Sequence, residues 1–197
     1  MRDLDLLKEI DKTAILPDDL KPKLKRGVII SLSISTLDEK LAKILELGAP
    51  ALKERLETIL KCKKEGFLLG VDYIPVLPFL SDSEEQLDEM IKTAKKYRAD
   101  FVLVGALTLF DNKPADCKVL YYKFLEKHYP ELVSKYKSLF RIFFQPAKEY
   151  QKELEKNQGG CVRNIELKIG LSTGGFGAER FVASLLALPS VRSYNSG

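Results

Sequence analysis

Between Val28 and Leu109, short apolar runs alternate with longer mixed segments, a pattern that predicts strands separated by helices. Val28-Ile29-Ile30-Ser31-Leu32-Ser33-Ile34-Ser35 is rich in β-branched residues and gains hydroxyls only toward its carboxyl end, so it reads as a strand. Thr36, with Glu39 three residues on, has the spacing of a reciprocal helix-start cap and predicts a helix from near Leu37 to about Gly48. Pro50 suits the first turn of a second helix, Ala51 to Glu65, because proline's missing N–H is not needed there, and Gly66 closes it. Phe67 to Val76 is apolar nearly throughout, as strands buried on both faces are. A helix over Asp82 to Tyr97 follows, capped among Ser81, Asp82 and Ser83, with Leu87, Met90, Ile91 and Ala94 on its inward face. Phe101 to Leu109 reads as the last strand, with Gly105 permitting close approach of backbone or ligand.

Past Asn112 the period becomes helical. Val119, Tyr122, Phe124, Leu125 and Tyr129 mark one amphipathic segment, Pro130 to Phe144 a second, and Pro146 to Lys156 a third, with prolines where helix starts tolerate them. Beyond Gly159-Gly160 come the glycine-rich Ser172-Thr173-Gly174-Gly175-Phe176-Gly177 and a short apolar stretch, Phe181 to Leu188, that suits a helix. Strands alternating with helices imply a parallel α/β architecture, with ligands at the carboxyl ends of the strands.

A chain of 197 residues, 45% hydrophobic and 30% charged, holds one ordinary domain with a sizeable core. Its net charge of +4 is too mild to argue for nucleic acid, and Lys92, Lys95 and Lys96 read as a solvated helix face. No window approaches the roughly 20 apolar residues of a membrane span, and Met1 to Lys8 is too charged for a signal peptide, so the expected location is cytoplasmic. Three widely spaced cysteines, Cys62, Cys117 and Cys161, fit thiols in a reducing compartment.

The strand-end rule selects Ser33 and Ser35, the Tyr73 to Pro78 turn, and Leu107 to Leu109. Ser31, Ser33 and Ser35 share one face of a strand, and a polar row there is costly unless a ligand or neighbouring backbone bonds it. Arg55 offers a bidentate fork for a carboxylate; it reads equally as a surface arginine balanced by Glu54 and Glu57, and Glu46 as a helix-end ion-pair partner without chemistry. Pro75 and Pro78 fix a turn in which Ile74, Val76 and Leu77 form an apolar shelf, or simply a rigid connection. Asp72, charged inside a covered strand, needs a partner: a ligand if inward, a lysine if outward. His128, the only histidine, builds no metal site by itself. Cys62, flanked by Lys61, Lys63 and Lys64, reads as an ordinary helical cysteine, and the glycine run lacks the residues of a phosphate-binding loop.

Ser31-Leu32-Ser33-Ile34-Ser35-Thr36-Leu37-Asp38, Leu45-Glu46-Leu47-Gly48-Ala49-Pro50 with Arg55, and Tyr73-Ile74-Pro75-Val76-Leu77-Pro78 with Asp82 resemble the second half of a radical SAM protein, of the DNA repair photolyase-like branch related to spore photoproduct lyase. Arg2 to Leu7 and Tyr122 to Pro130 are similar to further segments of that branch, so the resemblance runs from about Arg2 to Lys156. It implies the C-terminal half of a parallel (β/α) barrel over residues 1–112, a helical extension capping it over 113–158, and a tail of no assigned role over 159–197. It also implies S-adenosylmethionine as cofactor, with Ser33 and Ser35 near its ribose and amino-acid portion, Arg55 on its carboxylate, the Ile74, Val76 and Leu77 shelf fixed by Pro75 under its adenine, and Leu107 as a further cofactor-binding position. DNA is the partner that the branch implies, although no residue here would read it.

Family members hold a [4Fe–4S] cluster on a Cys-x-x-x-Cys-x-x-Cys loop after the first barrel strand; the cysteines here do not reproduce that spacing. The first two or three βα units of the resembled barrel are therefore expected to be absent. Two readings follow: a shortened radical SAM protein without its own cluster motif, and a non-catalytic α/β binding or assembly module whose exposed sheet edges are covered by self-association or a partner chain.

Overall fold

The structure is a computed structural model that describes residues 3–18, 20–22, 24–141, 144–162 and 168–171, with backbone alone for 158–162 and 168–171. Four parallel strands, β1 (Ile29–Ser33), β2 (Leu68–Val76), β3 (Phe101–Ala106) and β4 (Lys168–Leu171), form one sheet in the order β1-β2-β3-β4. Spatial order thus follows chain order. The helices are α1 (Leu4–Thr13), α2 (Glu39–Leu45), α3 (Leu52–Lys64), α4 (Glu84–Lys96), α5 (Cys117–His128), α6 (Val133–Leu139) and α7 (Lys148–Val162), with a 3-10 turn at Pro130–Leu132.

The main core lies on one face of the sheet. Leu69, Val71 and Tyr73 of β2 and Val102 and Val104 of β3 pack with Leu56 and Ile59 of α3, Leu87, Met90, Ile91 and Ala94 of α4, and Leu154 of α7. By the two-residue period of a strand, Gly70, Asp72 and Ile74 face the other way. Gly70 must stay small, because a Cβ there would sit 2.1 Å from the Phe101 ring carbons. The start of β1 is fixed by Asp11 of α1, whose carboxylate accepts from Arg26 Nη1 at 2.5 Å and from the amides of Gly27 at 2.8 Å and Val28 at 3.1 Å. Burial pushes this carboxyl up, but the guanidinium and the two amides outweigh it and hold it below its usual range.

Several expected boundaries shift. Asp38, not Thr36, caps α2, accepting from the amides of Lys40 and Leu41, while Thr36 Oγ1 accepts from the Asp38 amide. Pro50 lies one residue before the start position of α3, which Ala51 occupies with its amide bonded to Glu54. At α4, Ser83 and Gln86 form the reciprocal cap expected in that neighbourhood.

The larger correction concerns the carboxyl-terminal third. β3 is not the last strand: β4 pairs with it in parallel from Phe101↔Lys168 to Val104↔Leu171. The third helical segment is accordingly the crossover between β3 and β4. Its Leu154 enters the main core, and its Tyr150 hydroxyl donates to Asp82 Oδ2 at 2.9 Å at the start of α4. The other two segments do cap the carboxyl ends of the strands, where Leu77, Leu107 and Leu109 meet Tyr121, Leu125 and Tyr136 in a second apolar cluster. Among the described residues, no helix is long and apolar enough to cross a membrane. The readings for Ser172 to Gly177 and Phe181 to Leu188 lie outside the described residues.

Candidate functional site

β1 and β2 end beside the turn that joins α2 to α3, and Leu77, Leu107 and Tyr121 of the cap cluster border that junction. The result is a cavity of about 370 Å³ lined by Ser33, Ser35, Leu45, Glu46, Ala49, Arg55, Ile74, Pro75, Leu77, Leu107 and Tyr121. Of the sequence-predicted site residues it brings together Ser33, Ser35, Arg55, Pro75 and Leu107.

Val76 is not among them. A register shift in the β2–β3 ladder between Tyr73 and Val76 breaks the two-residue alternation, so Val76 follows Tyr73 into the main core while Pro75, preceded by a cis peptide bond, remains at the cavity. The serine row is also divided. Ser33 Oγ donates to the Ile74 carbonyl at 2.8 Å and Ser31 Oγ to Asp72 Oδ2 at 2.5 Å, whereas Ser35, past the end of the strand, is buried and donates to Glu46 Oε1 at 2.5 Å.

Glu46 ties the site together. Besides the Ser35 hydroxyl, Oε1 accepts from the Ser35 amide at 3.2 Å, and Oε2 is paired with Arg55 Nη2. Arg55 Nη1 donates to the Ser33 carbonyl at 2.7 Å, and Nε is buried without a hydrogen-bond partner. The side chains of the pair are only 12% and 18% exposed, so the surface-arginine reading, with Glu54 and Glu57 as partners, does not hold. Burial pushes the Glu46 carboxyl up, yet the Ser35 hydroxyl and Arg55 outweigh it and keep the group below its usual range.

On the cap side, Tyr136 donates to the Pro78 carbonyl at 2.5 Å. A carbonyl only accepts, so the 2.9 Å contact between the two phenols has Tyr121 as donor and Tyr136 as acceptor. Burial raises both phenols well above their ordinary value, which keeps the chain of protons in place. Glu46, read from the sequence as a helix-end ion-pair partner, does form an ion pair, with Arg55, and Tyr121 is a lining residue that sequence reasoning missed. The available signal for the ion pair was the nine-residue spacing from Glu46 to Arg55 across Gly48, whose φ of +80° makes the reversal that lets the two meet.

Cys62 is buried on α3 within the main core, and Cys117 is exposed near Phe110. Among the described residues no three potential ligands come together, and an iron-sulfur cluster does not fit them.

No protein-family model matches the chain. It is 40% identical over 77 residues to an uncharacterized protein of Acidianus two-tailed virus, a stretch covering 38% of this chain and 26% of that protein. It is 32% identical over 114 residues to uncharacterized proteins of Mycobacterium bovis and Mycobacterium tuberculosis, covering 58% of this chain and 32% of each of them. The matched stretches thus span about a quarter to a third of the length of these relatives.

Proposed function

We propose that the chain is the C-terminal half of a radical SAM (β/α) barrel, similar to the photolyase-like branch, and that its cavity binds S-adenosylmethionine. The observation that carries this reading is a ligand-sized space at the carboxyl ends of sequentially ordered parallel strands, walled by apolar residues and flanked by the Arg55–Glu46 pair. Ile74, Pro75 and Leu107 offer the apolar surface that a purine needs. Arg55 keeps further N–H groups on Nη1 and Nη2 beyond those given to Ser33 and Glu46 for a ligand carboxylate, and the Ser33 and Ser35 oxygens, whose protons are already given away, can accept from ribose hydroxyls or an ammonium group.

In the family this ligand supplies a substrate radical after reductive cleavage at an iron-sulfur cluster. The cysteine spacing here favours the narrower role of a binding half-site, so for this chain the proposal stops at the sulfonium. DNA as substrate remains a property of the resembled branch. A reducing, cytoplasmic setting belongs to the same proposal.

Isothermal titration of the chain with S-adenosylmethionine tests it. Arg55→Met combined with Glu46→Gln removes both charges together, and affinity is expected to fall about ten- to hundredfold, the worth of a charge-assisted hydrogen bond. Absence of binding to the wild-type chain, or unchanged affinity in the double variant, refutes the reading. Anaerobic reconstitution with iron and sulfide is expected to give no stoichiometric cluster; broad visible absorbance would instead assign cluster chemistry to this chain.

A further inference from the structure

Asp72 is the charged group that the Arg55–Glu46 pair leaves unexplained. Its neighbours Val71 and Tyr73 enter the main core, which places Asp72 on the opposite face, directly across from Ser33 in the β1–β2 register. Its hydrogen-bonding partner is the Ser31 hydroxyl at 2.5 Å, and among the described residues no cation pairs with it. Burial pushes its carboxyl up, only partly offset by Ser31. A half-buried carboxylate whose partner is one exposed hydroxyl keeps part of its desolvation cost, and groups of that kind concentrate where a ligand offsets it.

The cavity begins one step away. Ser33, across the ladder, and Ile74, the next residue on the same face of β2, both line it. Its charged lining residues, Arg55 and Glu46, neutralise each other, and Asp72 is a charge one step from it that no cation among the described residues pairs with. Ser31 has given its proton to Asp72, so the pair offers only acceptor atoms.

We infer that the Ser31–Asp72 pair makes the cavity selective for a cationic ligand, holding a sulfonium in preference to the corresponding neutral thioether. The inference rests on the S-adenosylmethionine reading and goes beyond it by naming the group that discriminates. A unit charge within about 10 Å, at the effective dielectric of a protein surface, shifts the affinity for a cation by about tenfold.

Titration of the full chain and of Asp72→Asn with S-adenosylmethionine and with S-adenosylhomocysteine tests it. The expected result is a fall of about tenfold in the preference for the sulfonium with the thioether's affinity unchanged. The denaturation midpoint of the ligand-free variant should stay level or rise, because an uncompensated charge has been removed. Asp72→Ser serves the same purpose if the asparagine variant does not fold. An unchanged preference, equal weakening of both ligands, or a lowered midpoint overturns the inference and leaves the binding reading standing. Failure of both ligands to bind the wild-type chain overturns that reading and this one with it.

Discussion

Glu46 accepts from the hydroxyl and the amide of Ser35 through one oxygen while the other is paired with Arg55. Replacing it by alanine leaves a largely buried guanidinium without its counter-charge, and a loss of about 3 kcal/mol is expected in urea unfolding at neutral pH. The pH dependence has a definite sign. The folded-state carboxyl lies below its unfolded value near 4.5, so its stabilisation is fully present above that pH and is lost as pH falls through the lower folded value. Acid unfolding of Glu46→Gln should lack that part of the slope, and an unchanged acid limb would contradict the assignment. At this scale the site was partly readable in advance. Ser33, Ser35, Arg55, Pro75 and Leu107 follow from strand ends and side-chain chemistry, whereas Val76 fails because a register shift leaves no local mark. Glu46 was legible as an ion-pair partner, but not its meeting with Arg55, which comes from a reversal at Gly48.

Among the elements, β1 to β3 and the helices between them were visible because each carries its own period: β-branched apolar runs for strands, and a Leu87, Met90, Ile91, Ala94 stripe for α4. β4 was not, since Lys168-Ile169-Gly170-Leu171 is four residues long and mixes lysine and glycine with two aliphatics. Its strand character comes from pairing with β3, a contact distant in sequence. The same blindness disguised α7, whose polar composition suggests a surface cap although Leu154 is 3% exposed in the main core. Leu154→Ala is expected to cost about 2 to 4 kcal/mol by denaturant unfolding, the price of a core cavity; a change near zero would mean that α7 is a dispensable cover.

Over the whole molecule, the core is divided into two apolar clusters, one between sheet and helices and one over the strand ends, and the second supplies Leu45, Leu77, Leu107 and Tyr121 to the cavity. Tyr136 couples the second to the sheet through the Pro78 carbonyl and takes the Tyr121 proton. Tyr136→Phe leaves that carbonyl without its donor, for which about 1 to 3 kcal/mol is expected. Hydrogen exchange followed by NMR should show protection falling further in α5 and α6 than in β2 and β3, because the cap can open without disturbing the ladder. Equal loss throughout would show that the two clusters unfold as one.

The position of β4 beyond α7 bears on any attempt to divide this polypeptide. A piece stopped at Lys156, within α7, would leave Phe101 to Val104 with peptide groups facing open water on one side. A bared rim of that kind pairs with its own copies, so dissection at the apparent seam is expected to yield self-adhering fragments rather than two tidy folding units.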